Sequence, residues 1–177
     1  MIPLKANRKS IRLKGYDYSQ AGLYFITICC QDRICRFGKI QNREMILNNF
    51  GKIAYDEWVK TPEIRKNVEL HEFVIMPNHI HAIIRLFDAG VCNTPQRPFH
   101  AGVCDTPPRS PSQTIGAIVR GYKSSVTKQL RSLGFNEQLW QRNYYEHIIC
   151  DERAYNNIAK YIMNNPTKWD DDKFYYK

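Results

Sequence analysis

The stretch VIMPNHIHAIIRL, residues 74–86, decides the fold. Val74, Ile75, Ile83 and Ile84 are β-branched and favour strand. Pro77-Asn78 interrupts the run as a turn or a bulge. The stretch is therefore expected to join two strands, VELHEFVIMP (68–77) and HIHAIIRLF (79–87). Residues i and i+2 of a strand share a face. His79 and His81 then project together, while Ile80, Ala82 and Ile84 turn the other way, into a core. Imidazole is the commonest protein metal ligand, and two on one face make a chelating pair. Read alone, an HxH pair in a strand is most simply an incidental surface or hydrogen-bonded pair. A metal site needs a third ligand and a chemical partner.

Working outward, LYFITICC (23–30) is a strand rich in aromatic and β-branched residues, and CRFGKI (35–40) is expected to pair with it after the polar turn Gln31-Asp32-Arg33. Apolar residues at 47, 50, 53, 54 and 58 have helical spacing, with Pro62 marking the end or a break. Residues 88–111 differ in character. AGVCNTPQRP (89–98) and AGVCDTPPRS (101–110) are near copies, read as a tandem duplication in a tolerant, disordered loop. A helix is expected next, capped by Ser112, with apolar positions 115, 118, 119, 122, 126 and 130, and ended by Gly134. LWQRNYYEHIIC (139–150) reads as a strand, and Asp151 caps a last helix that stops near Pro166. The order β-α-β-β-α-β-α predicts an α+β, ferredoxin-like antiparallel sheet with helices packed on one face.

The length of 177 residues and the 43% hydrophobic content favour one compact domain, 1–177, with a basic arm over 1–20. Lys plus Arg number 26 against 17 acidic residues, a formal charge of +9 that favours a polyanionic partner, most often nucleic acid. The start of the chain lacks the apolar region of a signal peptide, and no apolar run approaches the roughly 18 residues of a membrane span. A soluble, cytoplasmic protein is expected. Its six cysteines then sit in a reducing compartment, and none forms a CxxC pair.

The last helix offers the histidines a partner. In KYIMNNP, Tyr161 and Asn165 are four residues apart and share a helical face. An amide oxygen suits a hard divalent cation such as Mg²⁺ or Mn²⁺. A phenol can act as a nucleophile and form a covalent intermediate. From periodicity alone, Tyr161 reads as a core aromatic beside Ile158 and Ile162.

These motifs taken in order carry a resemblance. MPNHIH (76–81) resembles the histidine-hydrophobic-histidine (HUH) motif of single-tyrosine transposases, and LWQRNYYEHII (139–149) followed by YIMNNP (161–166) resembles their C-terminal signature. The nearest branch is that of the REP-associated tyrosine transposases. The resemblance runs from about Tyr16 to Trp169, outside the 88–111 loop. It implies an HUH endonuclease fold, His79 and His81 as metal ligands, Tyr161 as the catalytic tyrosine, and Asn165 where a polar third ligand is expected. It further implies a Mg²⁺- or Mn²⁺-dependent transposase, usually dimeric, that recognises DNA hairpins. The enzyme would nick and rejoin single-stranded DNA through a 5′-phosphotyrosine link.

Other phenols compete. Tyr144 and Tyr145 should point to opposite faces of their strand, and Tyr155 is about 600° around the helix from Tyr161. His147 could contact metal, phosphate or Tyr161, or serve packing. Arg120, Lys123 and Lys128 on the middle helix, and Arg12 and Lys14 in the arm, are candidates for DNA phosphate contact, with a solvated face as the plain alternative. Two rival functions remain: a domesticated HUH nicking and joining enzyme, and a non-catalytic nucleic-acid module that would expose Tyr24 and Phe25 on its sheet.

Overall fold

The computed structural model describes residues 20–87 and 113–175. The arm with Arg12 and Lys14 (all but Gln20), the 88–111 loop with its duplication, and Ser112 lie outside the described residues.

Among the described residues, six strands and four α-helices follow one another: β1 (Gly22–Cys29), β2 (Gly38–Gln41), β3 (Glu44–Leu47), α1 (Asn49–Val59), α2 (Thr61–Ile64), β4 (Val68–Ile75), β5 (His79–Leu86), α3 (Ile115–Ser132), β6 (Tyr145–Ile149) and α4 (Glu152–Asn164). The main sheet is antiparallel with the order β4-β5-β1-β6. Pro77-Asn78 is the two-residue turn of the β4–β5 hairpin, closed by Met76 N donating to His79 O at 2.8 Å. The fold is α+β with an antiparallel sheet, as the element order predicted, but helices pack on both faces of that sheet rather than on one.

Alternation along the strands sorts two apolar layers. Tyr24, Ile26 and Ile28 of β1 and Ile80, Ala82 and Ile84 of β5 are fully buried against Ala54 and Trp58 of α1 and Ile118, Tyr122 and Val126 of α3. Helix α4 lies across the opposite face, packing Ala159 and Ile162 on Ile83 and Ile149. This second layer is smaller, and it carries Tyr161 to the histidine face. No helix among the described residues is long and apolar enough to cross a membrane.

Three local expectations are corrected. Residues 38–41 pair with β3, not β1, across a two-residue turn at Asn42-Arg43, both with positive φ (53° and 63°). That backbone matches the twist of a tight hairpin, and asparagine tolerates it. Helix α3 is capped by Thr114, whose side chain accepts from Ala117 N, rather than by Ser112. It does end near Gly134, which holds the left-handed conformation (φ 89°). Finally, strand 139–150 is interrupted. Cys30 and Trp140 form an isolated bridge, and regular pairing resumes only at Tyr145. Lys123 fills the gap, its ammonium donating to Gln141 O at 2.9 Å and Asn143 O at 3.1 Å.

Candidate active site

Strand β5 places His79 and His81 side by side, ring centroids 4.4 Å apart. Their exposures are 0% and 1%. The burial comes from the chain end. After α4, a 3-10 turn over 166–171 reverses the backbone, and residues 172–174 return over the two rings. Trp169 stacks on His79 at 6.0 Å, and Phe174 lies 4.5 Å from it. Asn78 Nδ2 donates to Phe174 O and to Arg33 O, each at 2.8 Å, which latches the segment.

Those two bonds fix the Asn78 amide and decide the His79 tautomer. With Nδ2 spent, Oδ1 faces His79 Nδ1 at 2.8 Å and can only accept, so Nδ1 carries the proton. His79 Nε2 then holds a lone pair, buried and without a hydrogen-bond partner. His81 Nδ1 is 2.8 Å from Thr27 Oγ1, its direct neighbour across the β1–β5 pair. Partners of this kind orient metal-binding histidines. Burial, reinforced by Lys173, lowers the His79 pKa to about 3. Burial, with the neighbouring His79, lowers that of His81 to about 2. Both rings are neutral at pH 7, the form that binds a cation.

The sequence reading missed the third member. Ligand atoms of His79, His81 and Asp172 lie within 4.8 Å of one another. Asp172 is held by Phe174 N, donating to Oδ1 at 2.6 Å, and by Asn165 Nδ2, donating to Oδ2 at 3.0 Å. Asn165 is thus in the cluster, 3% exposed, but its amide nitrogen is turned to the carboxylate, while its Oδ1 is buried without a partner. Two neutral imidazoles, a carboxylate and an orphaned lone pair on His79 suit a divalent cation. The signal available in the sequence was the acidic run Asp170-Asp171-Asp172 between Trp169 and Phe174.

Tyr161 projects into the same cluster. Its hydroxyl is 3.1 Å from His81 Nε2, and the residue is 41% exposed. Partial burial and then the charge of Asp172 raise the phenol pKa to about 12. The rival phenols are elsewhere. Tyr144 donates to Glu146 Oε2 at 2.8 Å and packs on the α1/α3 layer. Tyr145 is on the histidine face, beyond Phe25. Tyr155 donates to Glu72 Oε2 at 2.7 Å and meets His71 Nδ1 at 3.1 Å. A register shift between Leu70 and Phe73 of β4, which spans His71 and Glu72, accompanies this contact with α4. The network pins the first half of the helix that carries Tyr161. Tyr155→Phe is expected to cost about 1 kcal/mol, the usual scale for a lost hydrogen bond. An unchanged urea midpoint would show that the network adds nothing.

Of the basic candidates, Arg120 and Lys128 are exposed. Lys123 is spent on the two carbonyls above, and burial lowers its pKa to about 8. Lys128 and Arg131 line a groove of about 500 Å³ with Lys123, Ser124, Thr127 and Trp140. His147 is exposed on β6 and faces Phe25 in register. Tyr24 is fully buried and Phe25 half-buried, so the pair expected of a plain nucleic-acid-binding sheet does not form.

The depressed histidines also predict acid sensitivity. Below pH 6.5 the unfolded chain binds protons that the folded rings refuse, so stability falls as pH drops. Each ring contributes roughly 2 kcal/mol of loss by pH 5, from a reference pKa near 6.5. A urea midpoint that stays level from pH 7 to pH 5 in EDTA would sink this account.

A search against protein-family models found no match. An uncharacterized protein of Haemophilus influenzae is 46% identical over 171 residues, covering 96% of this chain and 93% of that protein. The chain belongs to that protein's family. A second Haemophilus influenzae protein, described as a candidate REP-associated tyrosine transposase, is 25% identical over 158 residues, covering 86% of this chain and 74% of that protein. Among solved structures, a REP-associated tyrosine transposase bound to a REP hairpin superimposes with a TM-score of 0.58 at 19% identity, covering 91% of this chain and 74% of that one. The family thus has the fold of a REP-associated tyrosine transposase, and the resemblance read from the HUH and YIMNNP motifs is borne out.

Proposed function

We propose that the protein is a metal-dependent, single-tyrosine DNA strand transferase that nicks and rejoins single-stranded DNA at hairpin-forming ends. The observation that carries this reading is the meeting of Tyr161, from α4, with the His79–His81–Asp172 cluster, from β5 and the chain end. A nucleophilic hydroxyl beside a cation cluster suits phosphodiester chemistry. The similarity to REP-associated tyrosine transposases supports a transposase-like function, and the hairpin in the solved neighbour supports DNA as partner. The basic charge of +9 agrees.

In this reading His79, His81 and Asp172 hold a divalent cation, Mg²⁺ or Mn²⁺, with Asn165 orienting the carboxylate. The cation, when bound, supplies Lewis-acid polarisation of a phosphate oxygen. The chain's own groups do the rest. Thr27 and Asn78 hold the imidazoles in orientation. Tyr161 keeps its proton at neutral pH, and Asp172 is a neighbouring acceptor. The phenol oxygen bonds to phosphorus as its proton passes to the Asp172 carboxylate, the P–O3′ bond breaks, and the departing oxygen takes that proton back from Asp172 to give a free 3′-OH. The 5′-phosphate stays on Tyr161, and attack by another 3′-OH reverses the step. Exposed Arg120 and Lys128 serve as phosphate contacts, and the active species is a homodimer.

The test mixes the protein with labelled single-stranded DNA from the flanks of its own gene, with Mg²⁺ or Mn²⁺, on a denaturing gel. A covalent band that EDTA abolishes supports the reading. Tight binding with no band from any flanking strand would favour the non-catalytic alternative.

A further inference from the structure

The face beside the histidines is not finished by α4. Directly paired strand residues share a face. The register therefore lays two rows across β5, β1 and β6: His81–Thr27–Tyr145, and Ile83–Phe25–His147. Helix α4 covers the Ile83 and Ile149 end of this face. The β6 end is left open, with Tyr145 40% exposed and His147 exposed. Phe25 sits between the two tyrosines. It meets Tyr161 edge-on (6.3 Å, 81°), Tyr145 edge-on (6.2 Å, 67°), and His81 at 5.3 Å. Tyr145 is thus fixed by ring packing two strands from His81, about 10 Å away at the usual inter-strand spacing. No hydrogen bond ties its hydroxyl to the cluster, and β6 is an edge strand of the described sheet.

We infer that Tyr145, backed by Phe25 and flanked by His147, is a stacking subsite for the nucleobase adjoining the phosphate that Tyr161 attacks. The inference rests on the proposed function and adds a substrate contact to it. A rigidly held, solvent-facing aromatic ring offers a π-face that any base can use, which is how single strands are gripped without sequence readout. An exposed Tyr145 ring gains little for folding. His147, one row along, presents ring nitrogens to the edge of the same base. The arrangement requires an unpaired base, because a base inside a duplex has no free face to offer. It thus assigns this end of the sheet to single-stranded DNA, leaving any hairpin stem to contacts elsewhere.

The experiment uses single-stranded oligonucleotides from the gene's flanks, carrying 2-aminopurine at successive positions, with the Tyr161→Phe protein in EDTA so that no strand is cut. One position should be quenched on binding. Tyr145→Leu should lose that quenching and weaken affinity about tenfold, the scale of one lost stacked base. Tyr145→Phe should restore both. Equal affinity and quenching for Tyr145→Leu, or an effect only on oligomeric state, would overturn the proposal, as would quenching that Tyr145→Phe fails to restore. The readout needs no covalent step, so it stands apart from the adduct test. Lost quenching with no adduct would keep the stacking subsite and sink the nucleophile. An adduct with unchanged quenching would do the reverse.

Discussion

Tyr161→Phe is expected to abolish the covalent DNA adduct of the proposed reaction while leaving the fold and DNA binding in place. The substitution removes one oxygen and keeps the ring, so the packing on Phe25 and His81 persists. The lost contact is a hydrogen bond to His81 Nε2 on a half-exposed residue, worth within about 1 kcal/mol of stability. The chemical effect is expected to be far larger, because in the proposed reaction the bond to phosphorus forms through this oxygen. Adduct should fall below detection, a loss of at least about 10³-fold, which is about 4 kcal/mol on the barrier. The check is the denaturing gel beside a thermal melt. A band of undiminished intensity would move the nucleophile to another phenol, and Tyr145 is the one on the same face. Tyr144 is occupied with Glu146 on the opposite layer, and Tyr155 is locked against β4.

The second large effect separates two candidates for the third ligand. Asp172→Ala should weaken divalent-metal binding by more than about 100-fold, whereas Asn165→Ala should cost about tenfold, the usual scale for a residue that orients a ligand. The reasoning is geometric. The Asp172 carboxylate brings negative charge within 4.8 Å of both histidine ligand atoms, while the Asn165 amide nitrogen is turned to that carboxylate. Titration of Mn²⁺ into each protein, read by calorimetry, measures both. If Asn165→Ala proves the costlier change, its unpartnered Oδ1 is the ligand and Asp172 the support. Both variants should retain Tyr161 in place, so a gain of adduct at high metal concentration would confirm that the defect lies in cation affinity.

Much of this was legible in the chain. Period-two alternation at Ile80, Ala82 and Ile84 against His79 and His81 gave the core face and the site face at once, because strand geometry permits one assignment. The spacing of Tyr161 on α4 was equally plain, and its meeting with His81 followed from the resemblance. What was less legible had several causes, each a matter of tertiary placement or of a segment too short to show a period. Asp172 reaches the histidines only because the 3-10 turn after Pro166 folds the end back, and nothing in periodicity marks such a return. Asn165 was read as a ligand because i and i+4 share a helical face, a rule silent on which amide atom points where. Lys123 looked like a solvent-facing cation by helical position. Its role depends on carbonyls at 141 and 143, which break the expected 139–150 strand. The Asn42-Arg43 hairpin was missed because its strands have only four residues each, too short to show a period.

The shifted register of β4 has a consequence for how this molecule keeps its own company. β4 borders the described sheet, and a straight border strand offers a row of unsatisfied amides on which another copy could add a strand. The irregularity between Leu70 and Phe73 breaks that row near its middle, with Glu69 and Glu72 beside it. A copy attempting to extend the sheet would meet a kinked ladder and acidic side chains. Strand addition along this border is therefore disfavoured by the broken ladder.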